Sequence, residues 1–267
     1  MIELKNVTKV FHAGTANERR ALDGVNLHLF PGDFVTVIGS NGAGKSTMLN
    51  AIAGVWPINE GSIVLGGKEI SHLPEHRRAP MLGRVFQDPM TGTAADMQIL
   101  ENLALAARRG KRRGLKWHYT PIEREDYREL LNMLGLGLED RLTAKVGLLS
   151  GGQRQALTLL MATLVQPQLL LLDEHTAALD PKTAQKVLEI TDRIVSENSL
   201  TTLMVTHNMN DAIRHGNRLI MMDSGRVIFD CSGEEKKKLT VEDLMEKFSS
   251  ASGGSGGSLA DDRALLS

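Results

Sequence analysis

Gly39 to Thr47, GSNGAGKST, carries a glycine, four free positions and then Gly44-Lys45-Ser46, the spacing of a phosphate-binding loop. The preceding stretch, Phe34 to Ile38 (FVTVI), reads as a short buried strand, and Thr47 to Ala53 reads as the helix that follows. The pattern therefore falls where its mechanism requires it. At ordinary glycine usage, chance would supply it about 0.01 times in a chain of this length, so coincidence does not explain it.

Each residue type has a physical reason. Gly39, Gly42 and Gly44 permit backbone angles closed to other residues and let amide N–H groups point inward at phosphate oxygens. Ser40, Asn41, Ala43 and Thr47 complete the loop. Lys45 is placed to reach the β and γ phosphates of a nucleotide, Ser46 to hold Mg²⁺, and the helix presents its positive end to the anion. That dipole contributes only about 0.3 to 2 kcal/mol, so the lysine and the amide bonds carry most of the grip.

Composition bounds the possibilities. The 267 residues are 42% hydrophobic and 24% charged, an ordinary globular balance for one large domain or a core with a subdomain. Thirty-one basic against thirty-two acidic residues leave a net charge of -1, so no global field favours nucleic acid, and no nucleic-acid partner is expected. The single cysteine, Cys231, excludes an internal disulfide framework and reads as a small packed residue near a strand end. The start, MIELKNVTKVF, lacks the pattern of a secretory signal, and the apolar stretches around 156–165 and 169–172 are too short to span a bilayer. Membrane association is thus expected only through a partner.

Along the chain, Ile2 to Lys9 and Ala21 to Leu29 read as strands flanking a polar loop, Gly14 to Arg20. Ser62 to Leu65 with Gly66-Gly67 reads as a hairpin, and Leu82 to Phe86 as a strand ending at Gln87 before Asp88-Pro89. Helical spacing recurs at Ile99, Leu100, Leu103, Ala104 and Ala107, and again at Tyr127, Leu130, Leu131 and Leu134. Between them RRGKRRGLK, Arg108 to Lys116, reads as a solvated loop or helix end, with anionic head groups or an acidic partner surface as the alternative. LSGGQRQ, Leu149 to Gln155, opens an apolar helix to about Val165. Leu169 to Leu172 is an apolar strand ending in Asp173-Glu174, two carboxylates at the strand's carboxyl end, where open α/β sheets place ligands. Downstream of a phosphate-binding loop, they are candidates for the Mg²⁺ ligand and the general base. Asp180-Pro181 supplies a helix N-cap and first-turn proline, Thr201 to Thr206 another strand ending at His207, and Leu219 to Phe229 a hairpin. Val241 to Phe248 reads as a short helix. Strand, helix and strand in succession predict an α/β fold with a mostly parallel sheet.

With GSNGAGKST, LSGGQ and LLLLDE together, residues 1–248 resemble the nucleotide-binding subunit of ATP-binding cassette (ABC) transporters. The resemblance implies a P-loop NTPase core with an N-terminal antiparallel β subdomain and a helical subdomain at about 88–165, followed by a Gly/Ser linker and tail at 249–267. It implies an ATP hydrolase in which Phe11 stacks on adenine and Lys45 and Ser46 hold phosphate and Mg²⁺. Gln87 would sense Mg²⁺ and the attacking water while facing the transport partner. Asp173 would position Mg²⁺, Glu174 would polarise the water, His207 would sit near the γ-phosphate, and Asp180 would belong to the D-loop. Ser150 and Gly152, with Gly151 and Gln153 beside them, would complete the ATP site of the opposite subunit, so a head-to-tail dimer is implied. His175 departs from the family pattern, in which proline commonly follows the Asp-Glu pair.

Two function classes remain at this stage. One is the ATPase subunit of a transporter with separate membrane permease chains at the cytoplasmic face of the membrane. It would most resemble prokaryotic importers with branched-chain-amino-acid-like permeases, for which an extracytoplasmic solute-binding protein is a candidate partner. Lipoprotein release and efflux systems use similar subunits. The other class is a soluble ABC ATPase of cofactor assembly.

Overall fold

In the computed structural model, which describes residues 1–111 and 119–251, the chain runs β1 (Ile2–Phe11), β2 (Arg19–Leu29), β3 (Phe34–Gly39), α1 (Lys45–Ala53), β4 (Glu60–Leu65), β5 (Lys68–Glu69) and α2 (Glu75–Arg78). It continues through β6 (Leu82–Val85), α3 (Ile99–Ala106), α4 (Pro121–Leu134), a 3₁₀ turn (Val146–Leu148), α5 (Gly151–Thr163), β7 (Leu169–Asp173) and α6 (Pro181–Glu197). Last come β8 (Thr202–Val205), α7 (Met209–Arg214), β9 (Arg218–Asp223), β10 (Arg226–Ser232), α8 (Gly233–Lys238) and α9 (Val241–Ala251). These elements form two compact units, one of Met1–Arg78 with the chain from Ser199 onward, the other of Ala79–Asn198.

In the first unit, β2, β1, β4 and β5 form an antiparallel sheet. Beside it β10, β9, β3 and β8 lie in that order, with β3 parallel to both β8 and β9 and a closing antiparallel hairpin of β9 and β10. Every residue of β3 is buried, which explains why FVTVIG shows no polar alternation. Phe34 pairs with Thr202 and Val35 with Arg218, so the strand that leads into the phosphate-binding loop is held on both edges. Arg19 and Arg20, expected in the loop, belong to β2 instead and pair with Phe11 and Val10.

The helix after that loop is fixed at its far end by a buried cation. Gly54 ends α1 in the left-handed region at φ 84°. The Arg78 guanidinium, 1% exposed, donates through Nη1 to Ala51 O (2.7 Å) and Ile52 O (2.8 Å), through Nη2 to Ser71 O (2.9 Å) and through Nε to Leu73 O (2.7 Å). It thereby satisfies carbonyls that a helix end leaves without partners and favours the negative end of the helix dipole.

In the second unit β6 and β7 pair in parallel, Leu82 against Leu169 through Val85 against Leu172. Leu169 to Leu172 are each fully buried, and each such leucine contributes about 1.5–3 kcal/mol. The helix α6 starts on Asp180, whose carboxylate accepts from Thr183 N at 3.1 Å, with Pro181 at the first helical position. Its apolar stripe of Val187, Leu188, Ile190, Ile194 and Val195 is buried. Arg109, expected on a solvated stretch, instead turns inward and donates to Ala162 O (3.0 Å) and Val165 O (2.5 Å) at the end of α5. Residues 112–116 of that stretch lie outside the described residues, as does most of the expected linker and tail. The helix α9 runs through Ala251, so Ser249 and Ser250 are helical and donate to Met245 O and Glu246 O.

Cys231 lies inside β10, 3% exposed, and burial pushes its thiol up to about 11. At pH 8 a thiol reagent should modify native Cys231 at least about 100-fold more slowly than a free thiol and reach full rate once urea unfolds the chain; stopped-flow thiol titration reads this. Arg78→Met should lower the unfolding free energy by about 2–4 kcal/mol, because it strands several buried carbonyls; urea denaturation reads this.

Candidate functional site

The first unit carries the phosphate-binding loop. Three local devices shape it. Gly39 and Gly44 are buried, and a Cβ on them would lie 2.3 Å from Met222 O and 2.5 Å from Ala21 O, closer than any real side chain. Gly42 and Gly44 also hold φ at 83° and 101°, backbone that only glycine takes without strain. The loop is then tied to its surroundings: Ser40 Oγ donates to Asp223 Oδ1 at 3.2 Å, Arg19 Nη2 to Gly42 O at 3.2 Å, and Gly225 N to Ala43 O at 3.0 Å.

Lys45 opens α1 and is 6% exposed. Its ammonium donates to Gly39 O at 2.6 Å and Ser40 O at 3.1 Å, so it braces the loop from inside. Asn41, Gly42 and Ser46 face solvent, while Ala43 is buried and Thr47 half-buried. In the same unit Phe11 meets Trp56 edge to face at 5.0 Å between ring centroids, with Lys9 Nζ 5.0 Å from the Phe11 ring. Half-buried His207 lies two residues beyond the end of β8. Thr206 N donates to Val37 O just before it, and the Asn208 side chain, accepting from Asp211 N at 3.0 Å, caps α7 just after it.

The second unit carries the carboxylates. Asp173 ends β7, and Glu174 follows at φ 45°, a left-handed conformation that costs a non-glycine residue about 1–3 kcal/mol and turns the chain sharply out of the strand. The turn is closed by Ala177 N on Glu174 O at 3.0 Å. His175 is buried, with Nε2 3.1 Å from Thr191 Oγ1, and that hydroxyl donates to Val187 O. The ring packs the turn onto α6. Gln87 lies exposed beyond the end of β6.

The LSGGQ segment starts α5. Ser150 is the N-cap, its hydroxyl accepting from Gln153 N while Ser150 N donates back to Gln153 Oε1 at 3.2 Å. The other end of the Gln153 amide donates to Leu136 O at 3.2 Å. Gln153 is thereby committed to holding the cap. Ser150 and Gly151 are exposed, while Gly152 is buried, where a Cβ would lie 2.1 Å from Thr183 Cγ2. Exposed Asp180 is held in its ionised form by its hydrogen bonds from Thr183.

Comparison with known proteins decides the family. The ABC transporter family profile matches residues 22–177. This chain belongs to that family. A tyrosine transport ATP-binding protein of Clostridioides difficile (strain R20291) is 45% identical over 251 residues, covering 93% of this chain and 98% of the relative. The methionine import ATP-binding protein MetN of Escherichia coli (strain K12) is 34% identical over 253 residues, 93% of this chain and 70% of the relative. Among solved structures, the dimeric post-hydrolysis state of the ATP-binding cassette MJ0796 bound to ADP and Pi aligns at TM-score 0.74 and 33% identity over 87% of this chain and 98% of that one. The fold is the P-loop NTPase fold of an ABC cassette, and the chain is an ATP-binding and ATP-hydrolysing transport subunit.

Within this ABC ATPase, the residues expected from the sequence fall in two sets. Phe11, the loop 39–47 and His207 belong to the first unit; Gln87, Ser150 to Gln153, Asp173, Glu174 and Asp180 belong to the second. Three residues of these surroundings escaped the sequence reading: Arg19 and Asp223, which anchor the loop, and Arg84, whose guanidinium is 3.9 Å from Asp173. Arg84 had a usable signal, a lone charge inside the short apolar strand LGRV. Gly44→Ala should abolish ATP binding while the chain still folds, because it strains φ and drives a methyl into Ala21 O; equilibrium binding of a fluorescent ATP analogue checks this.

Proposed function

We propose that this ABC ATPase powers uptake of a small solute, of the amino-acid class, through separate membrane permease chains. The observation that carries the importer reading is the near full-length match, at 45% identity, to a tyrosine transport ATP-binding protein, joined by a methionine import relative. A head-to-tail pair of these chains at the cytoplasmic face of the membrane, bound there by the permease and supplied by an extracytoplasmic solute-binding protein, completes the reading. Among the described residues no helix is long and apolar enough to cross a membrane, so the solute path would belong to the permease.

The residues fit the nucleotide and its metal. The glycines at 39, 42 and 44 hold the loop in a path against its neighbours that no side chain could follow, and Lys45 supplies a buried cation at its base. Among the described residues there is no cluster of three or more metal-binding side chains. Mg²⁺ is commonly held by one or two carboxylates together with substrate phosphates, a donor chemistry that Asp173 offers. When bound, the metal would neutralise charge on the β and γ phosphates.

In this reading Lys45 leaves its loop carbonyls for the phosphates, and Ser46 and Asp173 hold the metal, with Gln87 responding to it. Glu174 takes a proton from the attacking water, His207 holds the γ-phosphate side, and Phe11 carries the adenine. Ser150, Gly151 and Gly152 present helix N–H groups to the nucleotide of the partner chain, with Gln153 locking that helix start and Asp180 ordering the neighbouring turn. His175 serves the turn that aims Glu174.

Glu174→Gln tests the assignment. ATP binding should remain, turnover should fall by about 10²–10⁴-fold, and an ATP-bound dimer should accumulate; phosphate release and size-exclusion chromatography with ATP read the two effects. Turnover at the wild-type rate would remove Glu174 from the role of base. Capture of the same variant from detergent-solubilised native membranes should bring down a polytopic permease, and recovery of soluble partners alone would overturn the transport reading.

A further inference from the structure

Arg84 forms an ion pair with Asp173, the carboxylate proposed to hold the metal. In the parallel pair of β6 and β7, Arg84 lies opposite Leu171. Asp173, two residues further along β7, therefore falls on the same face of the sheet as Arg84. The guanidinium Nη2 stands 3.9 Å from Asp173 Oδ2, and the two side chains are only 14% and 15% exposed. On its other side the guanidinium carbon lies 4.5 Å from the centroid of the Phe86 ring. The backbone there is pinned by the Gln155 side chain, itself fully buried, which donates to Phe86 O at 3.2 Å.

We propose that Arg84 is a positioning residue that holds the Asp173 carboxylate and sets how tightly that carboxylate takes a divalent cation. The inference rests on the metal role of Asp173 proposed above. A carboxylate this far out of water needs a counter-charge, and Arg84 supplies one built into the neighbouring strand. The ring beneath the guanidinium keeps it from swinging out to solvent. A divalent ion bound by Asp173 then meets a carboxylate already partly neutralised and a fixed positive charge a few ångströms away. Both effects weaken its hold, and partial burial leaves them less screened than on the surface. The chain gains an ordered Asp173 when no metal is bound and a metal that leaves readily. A guanidinium that only packed the strand would give the first property without the second.

The test is Mn²⁺ uptake by the full chain in the presence of ADP, followed by the loss of the free Mn²⁺ electron paramagnetic resonance signal, so that no turnover is needed. Arg84→Met should lower the Mn²⁺ concentration at half-saturation about tenfold. Arg84→Lys, which keeps the charge, should stay within about twofold of wild type. Equal Mn²⁺ uptake by Arg84→Met and wild type overturns the proposal, and so does a Lys variant that shifts as the Met variant does, since packing would then be the cause. If Arg84→Met fails to fold, Arg84→Gln carries the same comparison. An Asp173→Asn control separates the two levels of the argument. If wild type binds Mn²⁺ no better than this control, the metal role of Asp173 falls and the Arg84 proposal with it. If wild type binds better and Arg84→Met does not differ from it, the Arg84 proposal alone falls.

Discussion

The left-handed backbone at Gly44 is the constraint from which the first unit follows. With φ at 101° and Ala21 O only 2.5 Å from where a Cβ would stand, the chain can turn from β3 into α1 without a side chain in the way. That turn delivers Lys45 to the inside of the loop, against the carbonyls of Gly39 and Ser40. It also makes Ser46 the second residue of a helix whose far end is held by Arg78. The loop is thus braced at both ends of one short helix, by the lysine that starts it and an arginine that holds its far end. A phosphate-binding loop needs this stiffness, since its amides must already point inward when the anion arrives.

The second unit solves a related problem with carboxylates. The strand β7 is apolar until its last residue, so Asp173 and Glu174 emerge together at its end, and the left-handed turn at Glu174 sets the two side chains in different directions. The turn is kept in place by a buried hydrogen-bonded histidine, where a proline would be the purely local alternative. Proline would stiffen the turn through its ring, whereas His175 does so by bonding to Thr191 on α6. The two solutions differ in what they depend on: one is local to the backbone, the other needs α6 to be folded.

Local features of the chain were legible in the sequence. The buried β3, the apolar run of β7, the Asp180 cap with Pro181 and the Ser150 helix start are each dictated by a few adjacent residues. The observed backbone follows them closely. Which charges turn inward was not legible, because that depends on partners far along the chain. In GEEKKK, a charged stretch with no apolar residue, Lys236 is 2% exposed and donates to His215 O, Gly216 O and Thr36 Oγ1. Arg109 in a basic stretch and Arg84 in a strand turn inward for the same reason: carbonyls or a carboxylate wait for them on another element. Periodicity also misses helices as short as α2 and α7, of four and six residues, which are too short to show a repeat. The roles proposed for the site residues came from the family motifs, and geometry adds how Lys45, Ser150, Gln153 and Asp180 are held.

The burial of Cys231 has a practical side. The chain has a single thiol, and it lies inside β10 with its ionisation suppressed. A cysteine introduced on the surface would therefore be the one group that takes up a maleimide dye or spin label at neutral pH, with no need to remove the native residue from a packed strand. Paired probes on the two compact units, or on two copies of the chain, could then follow distances through the ATPase cycle in an otherwise unaltered protein.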